Sequence, residues 1–298
     1  GYNDILTPGD IGISGSFILG DRMYVMKAWS IHRLSYTGSF PLVYIQEVKK
    51  TVGTKSPRSI KNVDIQEAGE AIIFLGTDRR LYLFDGIAPT SLSDEMTISN
   101  GYSSVYFDNI NVAALDKCWA VVHQDKNWYE LFVCIGTATT PNYSITYDFA
   151  LKSFWPNDNR NFLSGGVGDD GNGQRRAYAL TSTSGKIELL NSGTSDDGTA
   201  INSYWTSMKL GVAQQLMRVD ELEIETAAVT GSTPSFSWRA DWETAWVSTT
   251  MVANTNSHVF SPGRIDNLIQ FRILDNSTTA SFNLWAINMA ERPIGIAK

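Results

Sequence analysis

Residues 71–86 read Ala-Ile-Ile-Phe-Leu-Gly-Thr-Asp-Arg-Arg-Leu-Tyr-Leu-Phe-Asp-Gly. Two short apolar runs flank the polar joint Thr77-Asp78-Arg79, and Asp85-Gly86 closes the unit. Asp hydrogen-bonds the backbone of a turn and Gly accepts positive φ, so both ends of the stretch are punctuated. Apolar runs this short, rich in β-branched and aromatic residues, specify strands joined as an antiparallel hairpin.

The same unit recurs along the chain. Met23–Tyr36 turns at Ala28-Trp29 and closes on Thr37-Gly38. Tyr143–Trp155 turns near Ala150 and ends at Pro156-Asn157, and Ala177–Leu190 turns around Ser184-Gly185 and ends at Asn191-Ser192-Gly193. Further strands are expected at Leu42–Val48, Ser59–Ile65, Leu92–Ile98 and Trp119–Val133. Four-stranded units spaced by about 40–50 residues are what the blades of a β-propeller require. About four such units fit before residue 200, few for a closed ring. Either residues ahead of Gly1 supply the rest or the ring is completed in another way. The opening Gly-Tyr-Asn-Asp has no initiator Met and suggests a processed or partial chain.

Near Asn202 the strands lengthen and alternate more cleanly. Phe236, Trp238 and Ala240 share one face of a strand, and Ile269, Phe271 and Ile273 share another. Ala280, Phe282, Leu284 and Ala286 oppose Trp285, Ile287 and Met289 across a single strand. Between Gly211 and Glu225 at most one helical turn is expected ahead of the alternation Leu222, Ile224, Thr226. The sequence therefore predicts an all-β protein: propeller-like antiparallel blades over 1–202, then a C-terminal β-sandwich over 203–298.

Composition narrows function. Of 298 residues 43% are hydrophobic and 18% charged, which fits subunit interfaces and equally fits an ordinary β protein. A net charge of −7 argues against gripping nucleic acid, which needs clustered cations. The local exception is Lys49, Lys50, Lys55, Arg58 and Lys61, with no acid among them between Lys49 and Lys61. It is either a solvated loop or a contact for an acidic neighbouring subunit. No apolar run approaches the ~18 residues that span a bilayer, and no charged-then-apolar leader opens the chain.

Chemistry-bearing patterns are sparse. His32, His123 and His258 lie far apart without metal-ligand spacing, which favours structural or surface roles. The Asp169-Asp170-Gly171-Asn172-Gly173 and Asp196-Asp197-Gly198 loops lack the alternating ligands and closing acid of a calcium loop and read as turns. No paired carboxylates, nucleophile elbow or phosphate-binding loop is evident, so neither catalytic residues nor a cofactor or metal is expected, nor enzymatic activity. Trp119, Trp238 and Trp285 sit at alternating strand positions, which favours packing over sugar stacking. Cys118 and Cys134 come nearly opposite each other if Trp119–Val133 is a hairpin around Asp125-Lys126-Asn127, and a reducing compartment leaves them as buried thiols.

Several segments together resemble tail-associated virion proteins of bacteriophages: residues 23–38, the lysine-rich stretch ending Gly-Thr-Lys-Ser-Pro-Arg, residues 71–86, 145–155 and 184–201, and the terminal Ile-Gln-Phe-Arg-Ile-Leu-Asp-Asn with Phe-Asn-Leu-Trp-Ala-Ile-Asn-Met-Ala-Glu-Arg-Pro-Ile-Gly. The nearest class is the nozzle or hub-like tail protein of short-tailed phages. Tyr147-Asp148 through Trp155 also resembles the strand-turn-strand of kelch-type propellers. The resemblance implies a structural virion component of the tail or neck, assembled in the bacterial cytoplasm. It implies a hexameric ring of copies that binds adjacent tail, adaptor or portal proteins and passes DNA without specific binding. An acidic conduit wall would keep DNA from sticking. The alternative is a tail protein that recognises or depolymerises host-surface carbohydrate.

Overall fold

The computed structural model describes residues 12–40, 42–65, 69–94, 106–182, 185–192, 195–196, 199–207, 209–211, 215–226, 233–240, 243–252, 255–262, 264–266, 268–277 and 284–296. Two units divide the chain, Gly1–Leu190 and Asn191–Lys298.

The first unit is a succession of antiparallel meanders. The first sheet holds β1 (Gly15–Leu19), β2 (Arg22–Met26), β3 (Ile31–Tyr36) and β4 (Val43–Lys49). The second holds β5 (Lys61–Ile65), β6 (Gly69–Leu75), β7 (Leu81–Phe84) and β8 (Pro89–Ser91). The third holds β9 (Trp119–His123), β10 (Trp128–Val133), β11 (Tyr143–Asp148) and β12 (Ser153–Asp158). The fourth has three strands, β13 (Phe162–Asp169), β14 (Arg175–Thr181) and β15 (Ile187–Leu189). Sequential antiparallel sheets of three or four strands, each built from contiguous sequence, are the propeller-like blades that the hairpin spacing predicts.

What holds consecutive sheets together is two-sided burial. In β6 the run Ala71–Leu75 is buried at every position, so both faces of the strand are covered. Ile72 and Phe74 join Phe17, Leu19, Tyr24 and Met26 of the first sheet in one core. Ala71, Ile73 and Leu75 point the other way, into a core shared with Leu131, Val133 and Ile145 of the third sheet. The third sheet repeats the pattern. Tyr129, Leu131 and Val133 face the second sheet, while Trp119, Val121 and Phe132 form a core with Phe162, Ala177 and Ala179 of the fourth. A strand buried on both sides reads as a continuous apolar run instead of an alternation, as Ile72–Leu75 does.

In the first unit β1, β8 and β13 are strands the sequence reading does not name. β1 lies ahead of the first recognisable hairpin, and β13 carries Gly165, Gly166 and Gly168, residues that weaken strand propensity. Gly165 is there for contact. A Cβ at that position would stand 2.5 Å from Cη2 of Trp119. The Trp119 indole stacks on Phe132 at 4.0 Å and donates its Nε1–H to the Phe162 carbonyl at 3.0 Å, so it has no room to retreat. The strand expected at Leu92–Ile98 is corrected over 92–94: β8 ends at Ser91, Leu92 adds one last N–H bond to the Leu81 carbonyl at 2.8 Å, and the Ser93 hydroxyl accepts the Leu81 N–H, while 95–98 lie outside the described residues.

In the second unit β16 (Ser195–Asp196) and β17 (Thr199–Ala200) form a small ladder. There follow β18 (Ser203–Thr206), β19 (Leu210–Gly211), β20 (Gln215–Thr226), β21 (Ser235–Ala240), β22 (Val247–Thr250), β23 (Ser257–Phe260), β24 (Arg264–Asp266), β25 (Leu268–Asp275) and β26 (Leu284–Ile296). One sheet orders β18-β25-β21-β22, with β19 also on β25. The other is β23-β20-β24, with β26 also on β20. Val219, Leu222 and Ile224 of β20 meet Phe236, Ile269, Phe271 and Ile273 of the opposite sheet in a single core, which makes a two-layer sandwich. The two apolar sets on β21 and β25 are not on different faces. Phe236 pairs with Ile273, Trp238 with Phe271 and Ala240 with Ile269, so they share one face of one sheet. Gln215–Thr226 is strand throughout, and 212–214, Ala280 and Phe282 lie outside the described residues.

Cys118 and Cys134 are both free and fully buried. The hydrogen bond to Cys134 and burial together hold the Cys118 thiol well above its ordinary range. The protein unfolded without reductant should titrate two thiols and the native protein none; a denatured count of zero would contradict the structure. Gly165→Ala should lower the stability of the first unit by about 1–3 kcal/mol through overpacking against the Tyr178 carbonyl and the Trp119 indole. Chemical denaturation checks this, and an unchanged midpoint would show that the indole has somewhere to go.

Candidate functional site

The cationic segment does not form one surface. Lys49 and Lys55 are exposed, and Lys50 is exposed with its Nζ 3.6 Å from the Glu47 carboxylate. Arg58 sits on a 3-10 turn, Pro57–Ser59, and donates to the carbonyls of Lys117 at 2.8 Å and Leu163 at 3.3 Å. Lys61 is half-buried in β5, where desolvation and the Arg58 charge lower its pKa.

The reading of this connection as exposed holds only for its charged tips, because its middle is buried. Thr54 donates to the Leu75 carbonyl at 2.6 Å, Ser56 to the Cys118 carbonyl at 2.8 Å, and the Ser59 hydroxyl accepts the Leu75 N–H at 3.0 Å. Tyr129 of the third sheet donates to the Ser59 carbonyl at 2.8 Å. A Cβ on Gly53 would collide with the Lys27 carbonyl and stand 2.6 Å from the Ser30 nitrogen. The segment therefore fastens the first three sheets together, with Lys49, Lys50 and Lys55 projecting.

The densest titratable cluster among the described residues is internal. Glu130 on β10 is fully buried. Its carboxylate accepts from His123 Nε2 at 2.9 Å and from the Ser144 hydroxyl at 2.7 Å, with the Arg160 guanidinium 3.6 Å away. Asn157 donates to the Ser144 and Thr146 hydroxyls at 3.0 and 3.1 Å. Burial pushes the Glu130 carboxyl up, but the hydrogen bond from His123 and the Arg160 charge outweigh it and hold the pKa below the usual value. The cluster fixes an ionised carboxylate between the third and fourth sheets and is closed to a substrate.

The Asp169-Asp170-Gly171-Asn172-Gly173 loop behaves as a turn. Asp169 Oδ1 accepts the N–H groups of Gly171 at 2.7 Å and Gly173 at 3.3 Å, and Asp170 Oδ1 those of Asn172 at 2.8 Å and Gln174 at 3.2 Å. Asp197 and Gly198 lie outside the described residues. Among the described residues no three His, Cys, Asp or Glu side chains gather as a metal site. His32 is buried beside the Ser30 hydroxyl at 3.0 Å, and His258 Nδ1 accepts the Val252 N–H at 3.3 Å. No helix among the described residues is long and apolar enough to cross a membrane.

The candidate site is the pair of outer faces that end the sheet succession. In the first sheet Ile18, Met23, Leu34 and Ile45 pair in one cross-strand row on the face away from the second sheet, with Tyr36 and Val43 beside them. Ile18 is 61% exposed and Tyr36 78%. In the fourth sheet Tyr178 pairs with Leu189 and Leu180 with Ile187, on the face opposite Ala177 and Ala179. Ile187 is 74% exposed. Sequence alternation places these side chains on one face of each sheet but does not say which sheets are terminal. That is why the reading singled out the cations and missed the apolar faces.

No protein-family model matches the chain, and no curated protein matches it. Solved structures of similar build include exo-β-1,3-galactanase from Phanerochaete chrysosporium, at 9% identity, 90% of this chain, 78% of that one and a TM-score of 0.29. A glycoside hydrolase matches at 11% identity, 94% and 83% coverage and TM-score 0.26. The GH32 β-fructofuranosidase of Bombyx mori matches at 9% identity, 95% and 78% coverage and TM-score 0.28. These findings correct the expectation that the chain is not an enzyme: the structures it is similar to are glycoside hydrolases, and that expectation is withdrawn. At these TM-scores the likeness assigns neither a catalytic residue nor a substrate.

Glu130 gives a pH prediction. Its folded pKa lies below the unfolded value of ~4.3, so the stabilisation is complete above that value and fades as pH falls through the folded pKa. Glu130→Ala should cost about 3–5 kcal/mol at pH 7, because it leaves buried partners of an ion pair unmatched. Urea unfolding from pH 7 down to 3 should show the gap between native protein and variant narrowing in acid. A gap independent of pH would mean that the carboxylate is not the titrating element.

Proposed function

We propose that this chain is a structural component of a bacteriophage tail or neck, assembled into a ring that contributes to the DNA conduit and binds neighbouring tail proteins. The observation that supports the reading most is the set of exposed apolar side chains on the outward faces of the first and fourth sheets, Ile18, Met23, Tyr36, Leu180 and Ile187, since exposed apolar patches mark sites of association. The net charge of −7 suits a wall that DNA passes without binding. Lys49, Lys50 and Lys55 project beside the first sheet and would steer an acidic neighbour into contact, with Arg58 and Lys61 anchoring the segment behind them. On the resemblance of its segments to such proteins, the ring is hexameric, meets adaptor or portal proteins and is assembled in the bacterial cytoplasm.

The rival is a tail protein that recognises or cleaves host-surface carbohydrate. Tyr36, Phe40 and Tyr44 are exposed aromatic rings around the last turn of the first sheet and would stack on sugar faces.

Electron micrographs of the purified chain, with and without portal and adaptor proteins, test the first reading. Closed rings that dock on those proteins are expected. Single particles that ignore them, together with shortening of a host surface polysaccharide by the chain, would establish the rival. Replacing Lys49, Lys50 and Lys55 with Ser should slow ring formation and reduce its salt dependence while leaving the unfolding midpoint within about 0.5 kcal/mol. Assembly that proceeds unchanged would assign those lysines to free surface.

A further inference from the structure

We propose that the outward face of the β18-β25-β21-β22 sheet in the second unit holds a binding site for an acidic saccharide, built on Arg239, Arg272 and Trp246. Ring formation neither requires nor excludes this site. Alternation sets the face. Phe236 and Trp238 of β21 and Ile269, Phe271 and Ile273 of β25 turn into the sandwich, so Ser237, Arg239, Gln270 and Arg272 turn outward. Trp246 stands beside Arg239, because Trp238, the residue before Arg239, pairs with Val247. Both guanidiniums lie over the indole, Arg239 at 4.5 Å and Arg272 at 4.6 Å from its centroid. To reach it Arg272 spans β21 at its pairing partner Ser237, which is buried.

Two cations drawn to one ring repel each other, and half-buried charges of this kind are ordinarily matched by a carboxylate. Among the described residues neither is. Arg272 makes no hydrogen bond or ion pair with them, and its Nε is buried without a partner. Arg239 has only a neutral partner: its Nε and one Nη donate to Gln270 Oε1 at 3.0 and 2.8 Å. The Gln270 amide is tied in turn to the Ser207 carbonyl at 2.9 Å, so it orients Arg239 without neutralising it. Glu243, close by in sequence, turns its carboxylate to the Ala240 N–H at 3.1 Å. Two oriented forks without a counter-charge, in a chain of net charge −7, form a site for an oxyanion, and a guanidinium fork matches a carboxylate bidentately. The surroundings choose the molecule that carries it. Ser248 and Thr250 present exposed hydroxyls from β22, and Tyr204 of β18, 58% exposed, shares the face through its pairing with Leu274. Hydroxyls and an exposed aromatic ring suit the hydroxyls and apolar ring face of a sugar, whereas a peptide segment would call for pockets to hold its side chains.

Calorimetric titration of the full chain with a galacturonic acid hexamer, its fully methyl-esterified counterpart and a glutamate hexapeptide tests the site. The acid is expected to bind, the ester about tenfold more weakly or worse, and the affinity for the acid to fall as salt rises. Arg272→Met keeps the apolar stem and removes the charge, and should weaken binding of the acid by about tenfold. Arg272→Lys keeps the charge without the fork and should weaken it by about threefold. Unfolding midpoints of both variants should match that of the native chain; if Arg272→Met does not fold, Arg272→Lys decides. No binding of the acid by the native chain, equal binding of acid and ester, or binding that the folded variants leave unchanged would each overturn the proposal. Equal or tighter binding of the glutamate peptide, weakened by the same substitutions, would overturn the saccharide and assign the forks to an acidic protein segment.

Discussion

The fold of the first unit depends on a single constraint: a sheet whose two faces are both apolar must be covered on both sides. Each apolar side chain left in water forgoes about 1.5–3 kcal/mol of burial, so a sheet such as the second, with Ile72 and Phe74 on one face and Ile73 and Leu75 on the other, has no stable existence alone. It recruits a sheet on each side, and the third, with Tyr129 and Leu131 opposing Phe132 and Trp119, recruits another. The short turns between strands make each sheet from contiguous sequence. The chain therefore lays down one layer after another.

Polar features serve this succession. The buried hydroxyls of Thr54, Ser56 and Ser59 accept or donate to backbone groups of the second and third sheets, where water is absent and an unmatched group would cost about 1–3 kcal/mol. Glu130 does the same between the third and fourth sheets, hydrogen-bonded by His123 and Ser144 and facing the Arg160 guanidinium. A sequence that reads as poor in catalytic patterns turns out to hold a fully buried, pKa-lowered carboxylate as part of the packing. The perturbed pKa marks structure here, a use that buried ion-pair networks share with active sites.

Most of the fold was legible because hairpins are local. The turns at Thr77-Asp78-Arg79, near Ala150 and around Gly185 announce themselves in residues whose backbone preferences differ from those of strands. β13 was not legible, since Gly165 answers to the Trp119 indole and the Tyr178 carbonyl, groups distant in sequence that no local pattern connects to it. The strand expected from Leu92 does not extend through 92–94: Leu92 has strand propensity, but the Ser93 hydroxyl takes the Leu81 N–H and ends the ladder. The cations from Lys49 to Lys61 drew attention as a charge run, while the buried Thr54, Ser56 and Ser59 between them decide what that segment does. The exposed apolar side chains such as Ile18 and Ile187 look in sequence like those of any half-buried strand, and only the order of the sheets places them on the first and last.

Amide hydrogen exchange, followed strand by strand over a range of protein concentration, tests the account most directly. If two-sided coverage governs stability, β6 and β10 should exchange slowest at every concentration. β1, β2 and β15 should exchange faster in dilute protein and become protected as concentration rises and their outer faces are covered. Equal protection of terminal and central strands in dilute protein, unchanged on concentration, would contradict it.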